Sequence, residues 1–241
     1  RNAFADCDSR GIDCTGADMY VTLEPCCHYG KTPPCTEAII EHKIKRVFIG
    51  SSDPNPLVAG KGAAILREMG IEVTEGILKE ECDSLNEIFF HYITKKTPFV
   101  TMKYAMTMDG KIACYTGKSQ WITGEAAREN VHLDRLKHMG IMVGIGTVLA
   151  DNPMLTCRIE GGKNPVRIIC DTNLRTPLDS NIVRTAGEVP TIIACSKGDT
   201  AAFEAAGCQI VRVPEKDGHI DLNELMIILG RDFKIDSILL E

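Results

Sequence analysis

No uninterrupted apolar run in these 241 residues approaches the roughly 20 needed to span a bilayer, and no basic-then-apolar leader follows Arg1. A membrane partner is therefore not expected. The net charge is −6 with a pI of about 5.6, and basic stretches interleaved with aromatics are missing. That combination argues against nucleic acid as a partner, because phosphate backbones require a cationic face. A small phosphorylated ligand stays open, since a few local Arg or Lys suffice to hold one. No repeat of roughly 20 to 50 residues occurs and no low-complexity tract. His-x-Glu is absent: two positions after the histidines stand Gly30, Ile44, Ile93, Asp134, Gly140 and Asp221. After Gly144-Ile145-Gly146 the third glycine of the dinucleotide fingerprint is missing, Leu149 taking its place, which disfavours a standard Rossmann site.

What is present is an ordinary globular composition, 44% hydrophobic and 25% charged, with length enough for two domains. The eleven cysteines are irregularly spaced, and Cys170 and Cys195 sit in apolar runs. This pattern suits reduced thiols in a cytoplasmic protein better than a disulfide scaffold. An arginine at position 1 and a stop at Glu241 directly after Ser237–Leu240 suggest that both ends are cut.

Short runs rich in Val, Ile, Tyr and Phe predict strands at Asp18–Leu23, Arg46–Ile49 and Ile71–Thr74. Helices are predicted over Thr36–His42, Lys61–Met69 (closed by Gly70) and Leu78–Ile93. Lys95-Lys96-Thr97-Pro98 breaks the pattern, placing a domain boundary between 1–96 and 97–241. The second half restarts with strands at Phe99–Ala105, Gly140–Gly144, Val166–Cys170, Thr191–Ala194, Ile210–Val213 and Ser237–Leu240. Its helices fall at Gly124–His138 with Thr123 as N-cap, Thr200–Ala206 and Leu222–Leu229. A short helix around Thr147–Pro153 is also expected. Apolar strands alternating with helices indicate an α/β chain with mostly parallel sheets.

Two segments carry chemistry. The first strand runs into Glu24-Pro25-Cys26-Cys27-His28-Tyr29-Gly30-Lys31-Thr32-Pro33-Pro34-Cys35 and then a helix. Two cysteines at this spacing leave incidental thiols as open as metal ligands, but the prolines stiffen the loop so that both sulfurs can meet at a strand end. Zinc held by two thiolates would still need a nitrogen ligand and an open position for water. Zinc deaminases pair such a Pro-Cys element with an upstream His-x-Glu. His132-x-Asp134 and His219-x-Asp221 are poor imitations in the wrong half. Asp53 and Asn55 stand in Asp-Pro-Asn-Pro, which would make a tight turn unaided. The second segment, Lys103–Ile112, runs from a strand into an Asp-Gly turn, followed by Gly117–Thr123 with the single tryptophan, Trp121. A buried indole is the plain account of Trp121, and a solvated helix face that of Arg128 and Arg135.

Val21–Cys35, Arg46-Val47 and Asp53–Gly60 closely resemble the bifunctional riboflavin-biosynthesis deaminase–reductases of bacteria. Met108–Ala113, Ser119–Thr123, Thr147–Arg158 and Leu239–Glu241 match the reductase half of the same family. The resemblance implies a cytidine-deaminase-like zinc domain followed by a dihydrofolate-reductase-like domain, with Zn2+ and NADPH as cofactors. It implies hydrolytic deamination of 2,5-diamino-6-ribosylamino-4(3H)-pyrimidinone 5′-phosphate, then reduction of the ribosyl side chain to ribityl. Cys26 and Cys35 match the zinc thiolates, while Cys27 matches no ligand. The zinc histidine and catalytic glutamate belong to a His-Ala-Glu element, of which Arg1–Ala5 looks like the helical continuation. His28, Lys31, Asp53 and Asn55 correspond to deaminase substrate positions. Ala105, Trp121, Thr147, Asp151 and Thr172 correspond to NADP contacts, and Ser119, Arg135, Leu155 (through its backbone), Arg158 and Glu241 to reductase substrate contacts. Lys103 is the candidate proton donor or positioning group. A homo-oligomer acting on a phosphorylated pyrimidine is expected. The rival readings are a reductase with a degenerate deaminase half, a nucleic-acid base deaminase with an accessory domain, and a non-catalytic zinc module.

Overall fold

The computed structural model describes residues 1–30 and 32–241, so Lys31 lies outside the described residues. The chain divides into two compact units, Arg1–Lys95 and Lys96–Glu241.

The first unit runs α1 (Asn2–Ser9), β1 (Asp18–Leu23), α2 (Cys35–Glu41), β2 (Arg46–Ser51), α3 (Lys61–Glu68), β3 (Glu72–Glu75), α4 (Lys79–Leu85) and α5 (Glu87–Lys95). The strands pair in parallel in the order β1-β2-β3, with Val21 opposite Ile49 and Ile49 opposite Glu75. Alternation decides which face is buried: Met19 and Val21 of β1 pack with Val47 and Ile49 against Phe4, Ala38, Ile39 and Leu66 from the helices. Gly70 follows the end of α3 at φ +81, a left-handed conformation that costs glycine little.

The single helix expected over 78–93 is two. Asn86 breaks it: its side-chain Nδ2 donates to the Cys82 carbonyl at 2.8 Å, capturing an acceptor that a continuous helix would give to a backbone N–H.

The second unit runs β4 (Phe99–Met102), α6 (Glu125–Lys137), β5 (Gly140–Gly144), α7 (Ile145–Asp151), β6 (Val166–Cys170), α8 (Asn181–Arg184), β7 (Thr191–Cys195), α9 (Ala201–Ala205) and β8 (Gln209–Arg212). It closes with β9 (Glu215–Lys216), β10 (His219–Ile220), α10 (Leu222–Arg231) and β11 (Ser237–Leu240). Six of these strands form a wholly parallel sheet in the order β4-β11-β5-β6-β7-β8. Both faces are apolar. Ile141, Val143, Ile169 and Ile193 join one core, while Met142, Ile168, Ile192 and Ile238 join the other.

Three expectations change here. Gly124, not Thr123, caps α6, and the Thr123 carbonyl accepts instead from Arg128 at 2.8 Å. Trp121 is 71% exposed rather than buried, with the Arg128 guanidinium 4.4 Å from its ring centroid. The β9–β10 hairpin and α8 were not expected. The hairpin turns on Asp217-Gly218, both at positive φ, a strong turn signal hidden between charged flanks.

One buried charge stands out in this unit. Arg167 on β6 is fully buried, and its guanidinium donates to Thr191 Oγ1 (2.9 Å), Thr185 Oγ1 (2.8 Å) and the carbonyls of Ile182 (3.0 Å), Val189 (3.0 Å) and Met154 (3.3 Å). Burial opposes its charge, and neutral acceptors rather than a carboxylate satisfy its donors. Arg167→Met strands those acceptors, so it should lower the unfolding free energy by about 3 kcal/mol in a urea melt. Arg167→Lys, which reaches fewer of them, should fall between; a loss below about 1 kcal/mol in the methionine variant would contradict this account.

Candidate active sites

In the first unit the end of β1 and the start of α2 are pinned together. The Cys35 backbone N–H donates to Cys26 Sγ at 3.3 Å, and the Cys26 carbonyl accepts from Thr36 N (3.2 Å) and Thr36 Oγ1 (3.3 Å). Cys26 and Cys35 line a cavity of about 270 Å³ together with Arg1, Phe4, Glu24 and Asp53. Burial pushes the Cys35 thiol up, and the neighbouring Cys26 sulfur pushes it further, against a small pull from Arg1. Two thiols that converge at a strand end are a donor set suited to a divalent metal that favours sulfur. The pair thus fits two of the four positions around zinc. Among the described residues no cluster of three or more His, Cys, Asp or Glu suited to a metal forms. Cys27 donates instead to the Leu57 carbonyl at 3.6 Å and does not line the cavity.

The loops around the thiols hang on Glu24, which sequence reasoning missed. This carboxylate is 3% exposed; Oε2 accepts from Asp53 N (3.3 Å) and Gly60 N (3.0 Å), and Oε1 from Ala63 N (3.2 Å). It joins the end of β1 to the 53–60 loop and the start of α3. The contact is tight: a Cβ on Gly62 would lie 2.0 Å from the Pro25 carbonyl oxygen, so only glycine fits there. The available signal was an acidic residue closing an apolar strand immediately before Pro-Cys.

Asp53 lines the same cavity, and burial raises its pKa, with Glu24 adding to the rise and the Asn55 N–H and His28 opposing it. Turn chemistry occupies part of this loop: Asp53 Oδ1 accepts from Asn55 N at 2.8 Å and Asn55 Oδ1 from Leu57 N at 3.1 Å. His28 is half-buried, and its Nδ1 has no partner among the described residues.

In the second unit a cavity of about 450 Å³ opens at the carboxyl ends of β5 and β6, walled by the β9–β10 hairpin. Gly144, Gly146, Asp171, Thr172, Arg175 and His219 line it. Thr172 ties the walls together, its Oγ1 accepting from Ile220 N at 3.1 Å and its carbonyl from Ser196 N and Oγ, both 3.1 Å. Among the described residues no acceptor is seen for the Thr172 O–H. Arg175 and His219 are exposed; sequence reasoning did not single out Arg175, and weighed His219 only as part of the poor metal-site imitation His219-x-Asp221. Of the residues expected to touch NADP, only Thr172 lines this cavity. Thr147 and Asp151 lie on α7, Ala105 follows β4, and Trp121 precedes α6.

A second constellation gathers at the carboxyl ends of β4 and β11. Arg135 on α6 forks onto Glu241, Nε to Oε1 at 3.0 Å and Nη2 to Oε2 at 2.8 Å, while its Nη1 donates to the Thr156 carbonyl at 2.9 Å. Lys103 Nζ stands 3.6 Å from Glu241 Oε2. Burial raises the Glu241 carboxyl, but the hydrogen bonds and charge of Arg135, then Lys103, outweigh it and hold the group below its ordinary value. Leu155 is buried in the core at φ +51, leaving its backbone as the part available to a ligand. Arg158 is exposed and its backbone N–H donates to His132 Nδ1 at 3.3 Å. Ser119 is exposed in the loop before α6 and joins none of these contacts.

Residues 98–241 match the RibD C-terminal domain family, and residues 1–51 match the cytidine and deoxycytidylate deaminase zinc-binding region. The riboflavin biosynthesis protein RibD of Actinobacillus pleuropneumoniae is 55% identical over 244 residues, covering 100% of this chain and 64% of that protein. RibD of Escherichia coli K12 is 36% identical, covering 96% and 65%. A solved diaminohydroxyphosphoribosylaminopyrimidine deaminase/5-amino-6-(5-phosphoribosylamino)uracil reductase from Thermotoga maritima superposes with a TM-score of 0.85 at 41% identity, over 98% of this chain and 65% of that one. Acinetobacter baumannii RibD gives a TM-score of 0.82 at 35% identity, over 95% and 63%. The chain therefore spans just under two thirds of the length of these relatives. With the deaminase zinc region ahead of the reductase-type domain, the chain belongs to the RibD family of riboflavin-biosynthesis proteins.

Proposed function

We propose that the chain belongs to a two-step enzyme. Its first unit deaminates 2,5-diamino-6-ribosylamino-4(3H)-pyrimidinone 5′-phosphate by hydrolysis. Its second reduces the ribosyl side chain of the product to ribityl with NADPH. The observation that carries this reading is the convergence of Cys26 and Cys35 on one cavity that Glu24 and Asp53 also line.

Cys26 and Cys35 would hold zinc, with the histidine ligand and proton-shuttling glutamate supplied, as in the family pattern, by residues ahead of those matching Arg1–Ala5. When bound there, zinc would supply a Lewis acid that lowers the pKa of a water, the nucleophile that hydrolytic loss of ammonia requires. Glu24 keeps the 53–60 loop beside the end of β1, and Asp53 and His28 would contact the pyrimidine. Asn55 and Lys31 complete the proposed substrate contacts.

In the second unit the reduced nicotinamide supplies hydride to the sugar C1′. Thr172 offers a hydroxyl, and Arg175 and His219, which line the same cavity, offer nitrogen donors to the phosphates of the nucleotide, with Ala105, Trp121, Thr147 and Asp151 as the further expected contacts. Arg158, Ser119 and the Leu155 backbone hold the substrate. Glu241 keeps Arg135 and Lys103 in place, and Lys103 delivers or positions the proton.

Cys35→Ser should release the metal and lower ammonia production about a hundredfold or more, while NADPH oxidation with the deaminated substrate stays near wild type. Metal analysis and an ammonia assay decide it; zinc retained at full occupancy would show that the ligand is another residue. Arg158→Ala should raise the reductase KM about tenfold with ammonia release unchanged, because it removes a charge-assisted contact to the sugar phosphate. Parallel loss of both reactions would indicate misfolding.

A further inference from the structure

The 155–158 loop, which the functional reading places against the reductase substrate, is held by α6 at three points. Arg135 Nη1 donates to the Thr156 carbonyl (2.9 Å), Cys157 Sγ donates to the His132 carbonyl (3.5 Å), and Arg158 N donates to His132 Nδ1 (3.3 Å). The loop is also anchored from below, since Leu155 is buried and Cys157 N donates to Asn164 Oδ1 at 3.0 Å. Of the three α6 contacts, the one to Nδ1 requires a ring nitrogen that carries no proton. An imidazole nitrogen accepts only while it carries no proton, which places the ring proton on Nε2.

We propose that His132 is a positioning residue for the reductase substrate: its neutral Nδ1 fixes the backbone of Arg158 and so sets where that guanidinium meets the sugar phosphate. This rests on the substrate role given to Arg158 above.

The surroundings favour the neutral ring. Burial is the first cause that holds the His132 pKa below its ordinary value, followed by Arg135 on its own helix and Arg158 on the loop; Glu241 and the Thr156 backbone pull weakly the other way. The sign follows directly. With a depressed pKa the ring is neutral at and above neutral pH, and the contact to Arg158 is present. As pH falls through the depressed value, Nδ1 gains a proton, the acceptor is lost, and a third cation appears beside two arginines. The loop then loosens while Arg135 remains clamped on Glu241, whose own carboxyl stays ionised to lower pH.

Three measurements on the full chain test this. His132→Asn keeps an acceptor oxygen near the Nδ1 position but cannot titrate, so its reductase KM should stay within about threefold of wild type at neutral pH. His132→Ala should raise that KM about tenfold with kcat nearly unchanged. As pH falls below the ordinary imidazole value of about 6.5, the wild-type KM should climb more steeply than that of His132→Asn, the difference removing the titration of the substrate phosphate itself. Histidine 15N spectra should show the Nε2–H tautomer for His132 in the wild type. The proposal fails if His132→Asn is as impaired as His132→Ala, if the two pH profiles coincide, or if the spectra put the proton on Nδ1. If the wild type reduces no ribosylaminopyrimidine phosphate at all, the substrate role of Arg158 falls and the positioning role with it, whatever the spectra show.

Discussion

Parallel pairing is the constraint on which the rest of this molecule depends. A parallel strand must be followed by a crossover before its neighbour can begin, so every strand in a parallel sheet sends its carboxyl end to the same edge. In the second unit that edge gathers Lys103 after β4, Glu241 after β11, Gly144 at the end of β5 and Thr172 after β6, four residues spread over more than half the chain. In the first, β1 delivers Glu24 through Cys26 to the edge where the loop after β2 brings Asp53. The chemistry-bearing residues meet because the hydrogen-bond ladder leaves them nowhere else to go.

Within each unit a buried polar side chain does the local fixing, and the two solve their desolvation problem in opposite ways. Glu24 is an anion satisfied by three backbone N–H groups from a loop and a helix start, so it ties otherwise independent segments to β1. Arg167 is a cation satisfied by carbonyls and hydroxyls from the 154, 182–185 and 189–191 segments, so it gathers the chain behind β6. Both are satisfied without a charged partner. Each therefore specifies geometry as much as stability, since replacing it leaves several directed acceptors or donors exposed to an apolar interior.

Much of this was legible in the residues. Near-continuous apolar runs such as Val166–Cys170 and Ser237–Leu240 read correctly as buried parallel strands because both faces of the sheet are covered. Cys26 and Cys35, separated by a proline-stiffened loop, do converge. The failures share a cause: a side chain found a partner that spacing does not encode. Asn86 takes the Cys82 carbonyl and splits a helix whose apolar periodicity runs straight through it. Arg128 and Arg135 share a helix face, yet one stacks on Trp121 and the other clamps Glu241, 106 residues away. Glu24 went unread because its three partners lie 29 to 39 positions further along, where no local pattern points back to it.

The exposed indole of Trp121 has a consequence of a different kind. Because the chain contains no other tryptophan, its ultraviolet emission above the tyrosine band originates at one spot, the loop before α6, under the guanidinium of Arg128. Anything that lifts that cation away or covers the ring alters the colour and yield of the whole molecule's fluorescence. The fold thus contains its own optical gauge, sited in the second unit, with no dye to attach.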